Sequence, residues 1–185
     1  MMKQMLIVGL LFISIGGFAQ DKKKVEFKRK GTFSGKKSET PDAELGSKLP
    51  EFQIMNANKD LVAKSDLVKP GLPCVVMFFN PSCGHCQDAT RMFKDSLSQY
   101  KNIPFVLITG DNMANEIRTF AEMTGVTNVS NITIGADYSK ISELLFEYKG
   151  IPQLMFYDKN QILKTKLYKD FHAVDVSRQL DALLK

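Results

Sequence analysis

The sequence predicts an α/β fold in which a mixed central sheet is flanked by helices on both faces. Three observations carry this. Apolar, β-forming runs alternate with stretches of helical periodicity through the middle of the 185 residues. Residues 74–79 are continuously apolar, the pattern of a strand covered on both faces. Near the end, two strand-like segments flank a short polar turn and precede a last amphipathic helix.

Taken in order, the first 19 residues stand apart from the fold. Lys3 supplies a positive start and residues 5–18 are almost uninterruptedly apolar. Gly16, Gly17 and Ala19 then place small residues where a signal peptidase cuts, between Ala19 and Gln20. This layout reads as a secretory signal peptide. The alternative is an uncleaved anchor, for which the run is short of the roughly 20 residues a spanning helix needs. Residues 20–40 carry eight Lys or Arg against three acids and read as a basic linker. Residues 21–37 within it offer a solvated tether, a membrane-surface contact or a partner arm. The formal net charge of +5 is thus local, because residues 41–185 carry 16 basic and 17 acidic side chains. No nucleic-acid motif accompanies the basicity. The globular domain is expected over residues 41–185.

Within the domain, residues 49–62 alternate weakly on either side of Asn56-Ala57-Asn58-Lys59 and predict an N-terminal β-hairpin. Ser65-Asp66-Leu67 begins a helical turn before Pro70, Gly71 and Pro73. The strand at 74–79 stops at Asn80-Pro81-Ser82. A helix is predicted over 84–100, with Cys86, Ala89, Met92, Phe93 and Leu97 on one stripe. A strand at 103–109, a helix at 112–124 stopped by Gly125, and a short strand at 131–134 follow. A helix at 138–148 ends before Gly150. Strands at 153–157 and 161–168 form an antiparallel hairpin around Asp158-Lys159-Asn160, and a helix at 172–184 closes the chain.

The chemistry concentrates at Cys83-Gly84-His85-Cys86, just past the carboxyl end of the buried strand, where sites in such sheets gather. Two residues between two cysteines on a first helical turn bring the sulfurs within bonding reach, as thiol–disulfide exchange requires. Cys83, at the helix start, meets unpaired backbone N–H groups that favour a negative sulfur, so it is the expected nucleophile. Cys86, one turn inside on the apolar stripe, is the expected resolver. His85, in the Gly84-His85 dipeptide, adds partial positive charge that favours the reduced state and a more oxidising potential. Zinc needs four ligands, and Cys74, His85 and His172 complete no second pair, so neither a metal nor any other cofactor is expected. Cys74 opens the buried strand as an inert thiol, and His172 reads as a surface residue at a helix start. A peroxide-reducing enzyme would want Pro-x-x-x-Thr/Ser-x-x-Cys, and neither Cys83 nor Cys74 is preceded by it. A copper carrier using Cys83, Cys86 and methionines is the other alternative, weakened because Met77 and Met92 fall on core patterns.

The run from Val75 to Phe79, the Cys-Gly-His-Cys tetrapeptide and Gly150-Ile151-Pro152 before a hairpin resemble the thioredoxin superfamily. The tetrapeptide is similar to that of protein disulfide isomerases. The N-terminal hairpin and the long span between Cys86 and Pro152 look like the exported TlpA/ResA type, which carries an extra strand–helix insertion there. The resemblance covers residues 41–185. It implies a thioredoxin-like fold, a cis Pro152 packed by the cysteines, and an Ile151 backbone that pairs with a substrate strand. It also implies thiol- or disulfide-bearing exported proteins as partners, a redox partner that resets the pair, and a periplasmic location. The sequence departs from the family where Ser82 replaces a usual Trp. It departs again where Met77 and Ala89 occupy the positions at which relatives bury a carboxylate near the resolving cysteine.

Overall fold

The computed structural model describes residues 41–185, so the signal peptide read at 1–19 and the basic linker at 20–40 lie outside the described residues. Seven strands form one sheet in the order β2-β1-β5-β4-β3-β6-β7. They are β1 (Gln53–Met55), β2 (Leu61–Ala63), β3 (Cys74–Phe78), β4 (Phe105–Thr109), β5 (Ile132–Asp137), β6 (Gln153–Tyr157) and β7 (Leu163–Tyr168). β3, β4 and β5 run parallel, whereas β6 pairs antiparallel with β3 and β7, and the hairpin β1–β2 pairs antiparallel with β5. The helices are α1 (Lys64–Leu67), α2 (Gly84–Ser96), α3 (Ile117–Thr124), α4 (Ser142–Leu145) and α5 (Ala173–Leu183). The mixed sheet, the N-terminal hairpin and the strand–helix insertion (β5 and α4) are those the sequence predicts.

Side chains alternate across a strand, so the buried strands supply two cores. Val75, Met77, Phe105, Leu107, Leu154 and Phe156 face one side, with Cys86 and Phe93 of α2, Phe120 of α3 and Leu180 of α5. Val76, Phe78, Val106, Ile108, Met155 and Tyr157 face the other, with Leu49, Phe52, Ile54 and Leu145. Each fully buried aromatic or aliphatic side chain contributes about 1.5–3 kcal/mol. This two-sided burial is why 74–78 reads as unbroken apolar sequence.

Several predicted bounds change. The helix expected over 84–100 is α2 followed by a 3₁₀ turn, Ser98–Tyr100, and the one expected over 112–124 begins as a 3₁₀ segment, Asp111–Glu116. Gly125, at φ 71°, closes α3 as read, with its N–H on the Ala121 and Glu122 carbonyls. The largest correction is at 138–148, where only one turn of helix forms. β5 runs past Ile134 to Asp137, whose carboxylate accepts from Ile141 N (2.9 Å), Ser142 N (2.8 Å) and Ser142 Oγ (2.6 Å). That cap starts α4 late. Phe146 then leaves the helix with extended backbone to set its ring against Phe78, 6.0 Å between centroids. The last hairpin turn is also longer than read, with Asp158 Oδ1 accepting from Asn160 N and Ile162 N before β7 begins.

The hairpin docks on β5 because Gly135 has no side chain: a Cβ there would lie 2.7 Å from the Ile54 side chain. Ile54 is fully buried and has little room to yield. Gly135→Ala is therefore expected to lower stability by about 1–3 kcal/mol in urea unfolding. An unchanged midpoint would show that β1 is not held by this approach.

Candidate active site

The register of the sheet builds the site. Phe78 at the end of β3 lies opposite Gln153 at the start of β6. The residues before Gln153 are therefore delivered to the end of β3 from which the cysteine loop departs. The Ile151–Pro152 peptide bond is cis, and Pro152 is buried. Cys83 and Ile151 both pack on the rim of the core that contains Cys86. The structure thus brings Cys83, Cys86, Ile151 and Pro152 to one end of the sheet.

Asn80, a residue to which no role was assigned from sequence beyond stopping the strand, shapes the cysteine loop. Its Oδ1 accepts from Ser82 N (2.9 Å) and Ser82 Oγ (2.7 Å), and its carbonyl accepts from Cys83 N (3.0 Å). Gln87 Nε2 closes the turn by donating to the Pro81 carbonyl at 2.9 Å. Cys83 is then the N-cap of α2, with extended backbone, and its carbonyl accepts from Cys86 N and Gln87 N, both at 3.1 Å. The Asx-type turn of Asn80-Pro81-Ser82 was the available signal for this role.

The two sulfurs sit in different surroundings. Cys83 is half-buried, whereas Cys86 is 0% exposed, and both are free thiols. Burial pushes the Cys86 thiol up. The backbone hydrogen bond from Asn80 works against this, and the hydrogen bond and charge of Cys83 add to it. Met77 and Ala89 belong to the apolar core around Cys86. Cys74 lies in the core on the opposite face of the sheet. Its thiol is pushed up to about 12 by burial, against the Lys64 charge and with that of Asp158. The sheet separates it from the pair, in keeping with an inert thiol.

His85 is 72% exposed and its Nδ1 stands 3.9 Å from Asp170 Oδ1, a residue the sequence did not mark. A Cβ at Gly84 would meet nothing within 4 Å, so packing does not demand glycine there. His172 is the exposed N-cap of α5, and its N–H donates to Asp175 Oδ2 at 3.0 Å. Two grooves lie at this end of the molecule, one touching the tetrapeptide through His85 and one touching Ile151. One, of about 420 Å³, runs along His85, Met92, Asp170 and Phe171. The other, of about 270 Å³, is lined by Phe78, Ile108, Phe146, Tyr148 and Ile151. Among the described residues no group of three or more His, Cys, Asp or Glu could hold a metal ion.

The loop that carries Ile151 and Pro152 is held from beneath by residues the sequence did not single out. Gln153, fully buried, donates from Nε2 to the Leu145 carbonyl (2.8 Å) and accepts from Glu147 N (3.0 Å). The Glu147 carboxylate, 16% exposed, accepts from Lys166 Nζ (2.6 Å), Lys149 Nζ (3.0 Å) and the Tyr168 hydroxyl. Burial works to raise this carboxyl, but the bonds from Lys166, Tyr168 and Lys149 outweigh it and hold it down at about 2. A carboxyl held below its ordinary value of 4.5 stabilises the fold above that pH, and the contribution is lost as pH falls toward 2. Glu147→Gln should therefore cost about 1–2 kcal/mol at neutral pH in denaturant unfolding. The gap to the parent should close between pH 4.5 and pH 2. Parallel pH profiles for the two proteins would remove Glu147 as the anchor.

No family model and no curated protein matches the sequence. Solved structures do match. A candidate protein disulfide isomerase from Bacteroides thetaiotaomicron aligns with a TM-score of 0.61 at 19% identity, over 77% of this chain and 91% of its own. A candidate thiol:disulfide interchange protein DsbE from Chlorobium tepidum aligns with a TM-score of 0.64 at 20% identity, over 77% and 99%. A secreted Mycobacterium tuberculosis disulfide oxidoreductase homologous to E. coli DsbE aligns with a TM-score of 0.57 at 17% identity, over 71% and 96%. This chain has the thioredoxin-like fold that these thiol–disulfide oxidoreductases share.

Proposed function

We propose that this protein is a thiol–disulfide oxidoreductase that acts on exported proteins through Cys83 and Cys86, with reduction as its leading direction. The observation that carries the reading is the unequal pair at one end of the sheet: a half-buried Cys83 capping α2 and a buried Cys86 one turn inside. In the reducing direction the Cys83 thiolate attacks one sulfur of a substrate disulfide and expels the other as thiolate. Cys86 then loses its proton and attacks the Cys83 sulfur. The substrate leaves with two thiols, and the pair keeps the Cys83–Cys86 disulfide, having given up two electrons. A redox partner returns them through the reverse exchange. The oxidising direction runs the same steps backwards.

The Ile151 backbone, beside the cis Pro152, is the edge against which a substrate strand pairs. Lys169 N already occupies the Pro152 carbonyl at 2.9 Å, which leaves recognition to Ile151 and the loop before it. His85 is the residue placed to tune the potential, with the Asp170 carboxylate 3.9 Å from its Nδ1. The signal-peptide reading supports a periplasmic setting, and one structural neighbour is a secreted protein. Among the described residues no helix is long and apolar enough to cross a membrane.

Cys86→Ala should accumulate a mixed disulfide between Cys83 and substrate proteins, visible on non-reducing gels and absent in Cys83→Ala. The reverse pattern would exchange the roles of the two cysteines, and trapping by neither would sink the assignment. A second outcome follows from the burial that raises the Cys86 thiol. Release of substrate from the mixed disulfide should speed with pH, approaching about tenfold per unit between about pH 7 and pH 9. A flat profile in single-turnover measurements would mean that deprotonation of Cys86 does not limit release.

A further inference from the structure

The groove beside Ile151 is more than a gap in the surface. Tyr148 is 82% exposed and holds the left-handed backbone at φ 54°, a conformation unfavourable for any residue with a bulky side chain. Its ring stands T-shaped against Phe146 at 4.7 Å, and Phe146 stands T-shaped against Phe78. Three rings thus run from the core to the rim. The loop that imposes this conformation is fastened on both sides of Tyr148: Glu147 is bonded to Lys166 and Tyr168, and Gln153 reaches back to the Leu145 carbonyl. A strained, exposed aromatic held in place by buried polar bonds points to a contact made with something outside the chain.

We infer that this groove receives a bulky apolar side chain of the substrate polypeptide, next to its reacting cysteine, and that Tyr148 is the residue that sets this preference. The inference rests on the oxidoreductase reading above and names the substrate feature that the same site selects. The cavity, about 270 Å³, falls just below the roughly 300–1,000 Å³ of sites for drug-sized ligands, so it suits one side chain rather than a cofactor. Its walls are the aromatic rings, Ile108 and Ile151, with Thr109, Gly110 and Ser142 completing the lining. Lys149, next to Tyr148, is engaged by Glu147 at 3.0 Å. Ile151 belongs both to the groove and to the backbone edge beside Pro152. A strand paired along that edge sends alternate side chains to the same face, and one of them enters the groove.

The test uses the reduced full chain and two disulfide-bearing peptides that differ only in having Tyr or Ser beside the cysteine. Hydroxyethyl disulfide, which has no side chains, reports the cysteine pair by itself. The parent protein should reduce the Tyr peptide about tenfold faster than the Ser peptide, the scale of discrimination an apolar pocket provides. In Tyr148→Asn, which keeps a residue tolerated in left-handed backbone, the preference should fall below about twofold. Tyr148→Phe, which retains the ring, should keep it. No preference in the parent, or an undiminished preference in Tyr148→Asn, would overturn the inference while leaving the oxidoreductase reading intact. Failure of the parent protein to reduce hydroxyethyl disulfide or either peptide would overturn that reading and this inference with it.

Discussion

Antiparallel pairing of β3 with β6 places Gln153 opposite Phe78, and the rest of the site is built outward from that register. β3 delivers the cysteine loop at its carboxyl end. β6 begins at the same end, so the Ile151–Pro152 bond reaches the cysteines without any further element to position it. A one-residue slip would exchange the residues that β6 gives to the two cores and is opposed by the full burial of Leu154, Met155, Phe156 and Tyr157. The two cores on either side of the sheet therefore specify the active end as well as the fold.

Alternation across β3 also divides the sulfur chemistry. Val75 and Met77 look toward α2 and Cys86, whereas Cys74, Val76 and Phe78 look the other way. Cys74 is thereby kept from the redox pair by the sheet itself. Cys86 is left among apolar side chains that include Met77 and Ala89. That setting favours the protonated thiol, and the nearby Asn80 backbone is what opposes it. The asymmetry between a capped, half-buried Cys83 and a sealed Cys86 comes from one turn of helix entering the core.

A cluster of polar bonds lies under the loop that carries Ile151 and Pro152. Glu147 gathers Lys149, Lys166 and Tyr168, while Gln153 satisfies the backbone on either side of Phe146. Such a buried cluster is costly unless every member is paired. Here it replaces the regular hydrogen bonding that a longer helix would have supplied. The loop gains a defined shape and presents Tyr148 and Ile151 along a single groove.

The alternation of apolar runs, the hairpin signals and the Cys-x-x-Cys spacing were sufficient to read the class of fold and the position of the pair. Each depends on local periodicity or on a turn of helix. Gly125 was legible as a helix stop for the same local reason, whereas the cis Pro152 was implied by the resemblance to the thioredoxin superfamily. The failure at 138–148 has the opposite cause. The segment has helical spacing, but Asp137 caps it late and Phe146 is drawn away to pack on Phe78 from a distant strand. Glu147, Gln153, Tyr148 and Asp170 were invisible as site residues, because their partners lie far off in sequence or in the turns that surround them. Local sequence thus determined that Cys83 and Cys86 sit at a helix start after a buried strand. Only the tertiary structure decided which sulfur is sealed, which face Cys74 occupies and what stands beside Ile151, since burial and long-range pairing depend on how the strands come together.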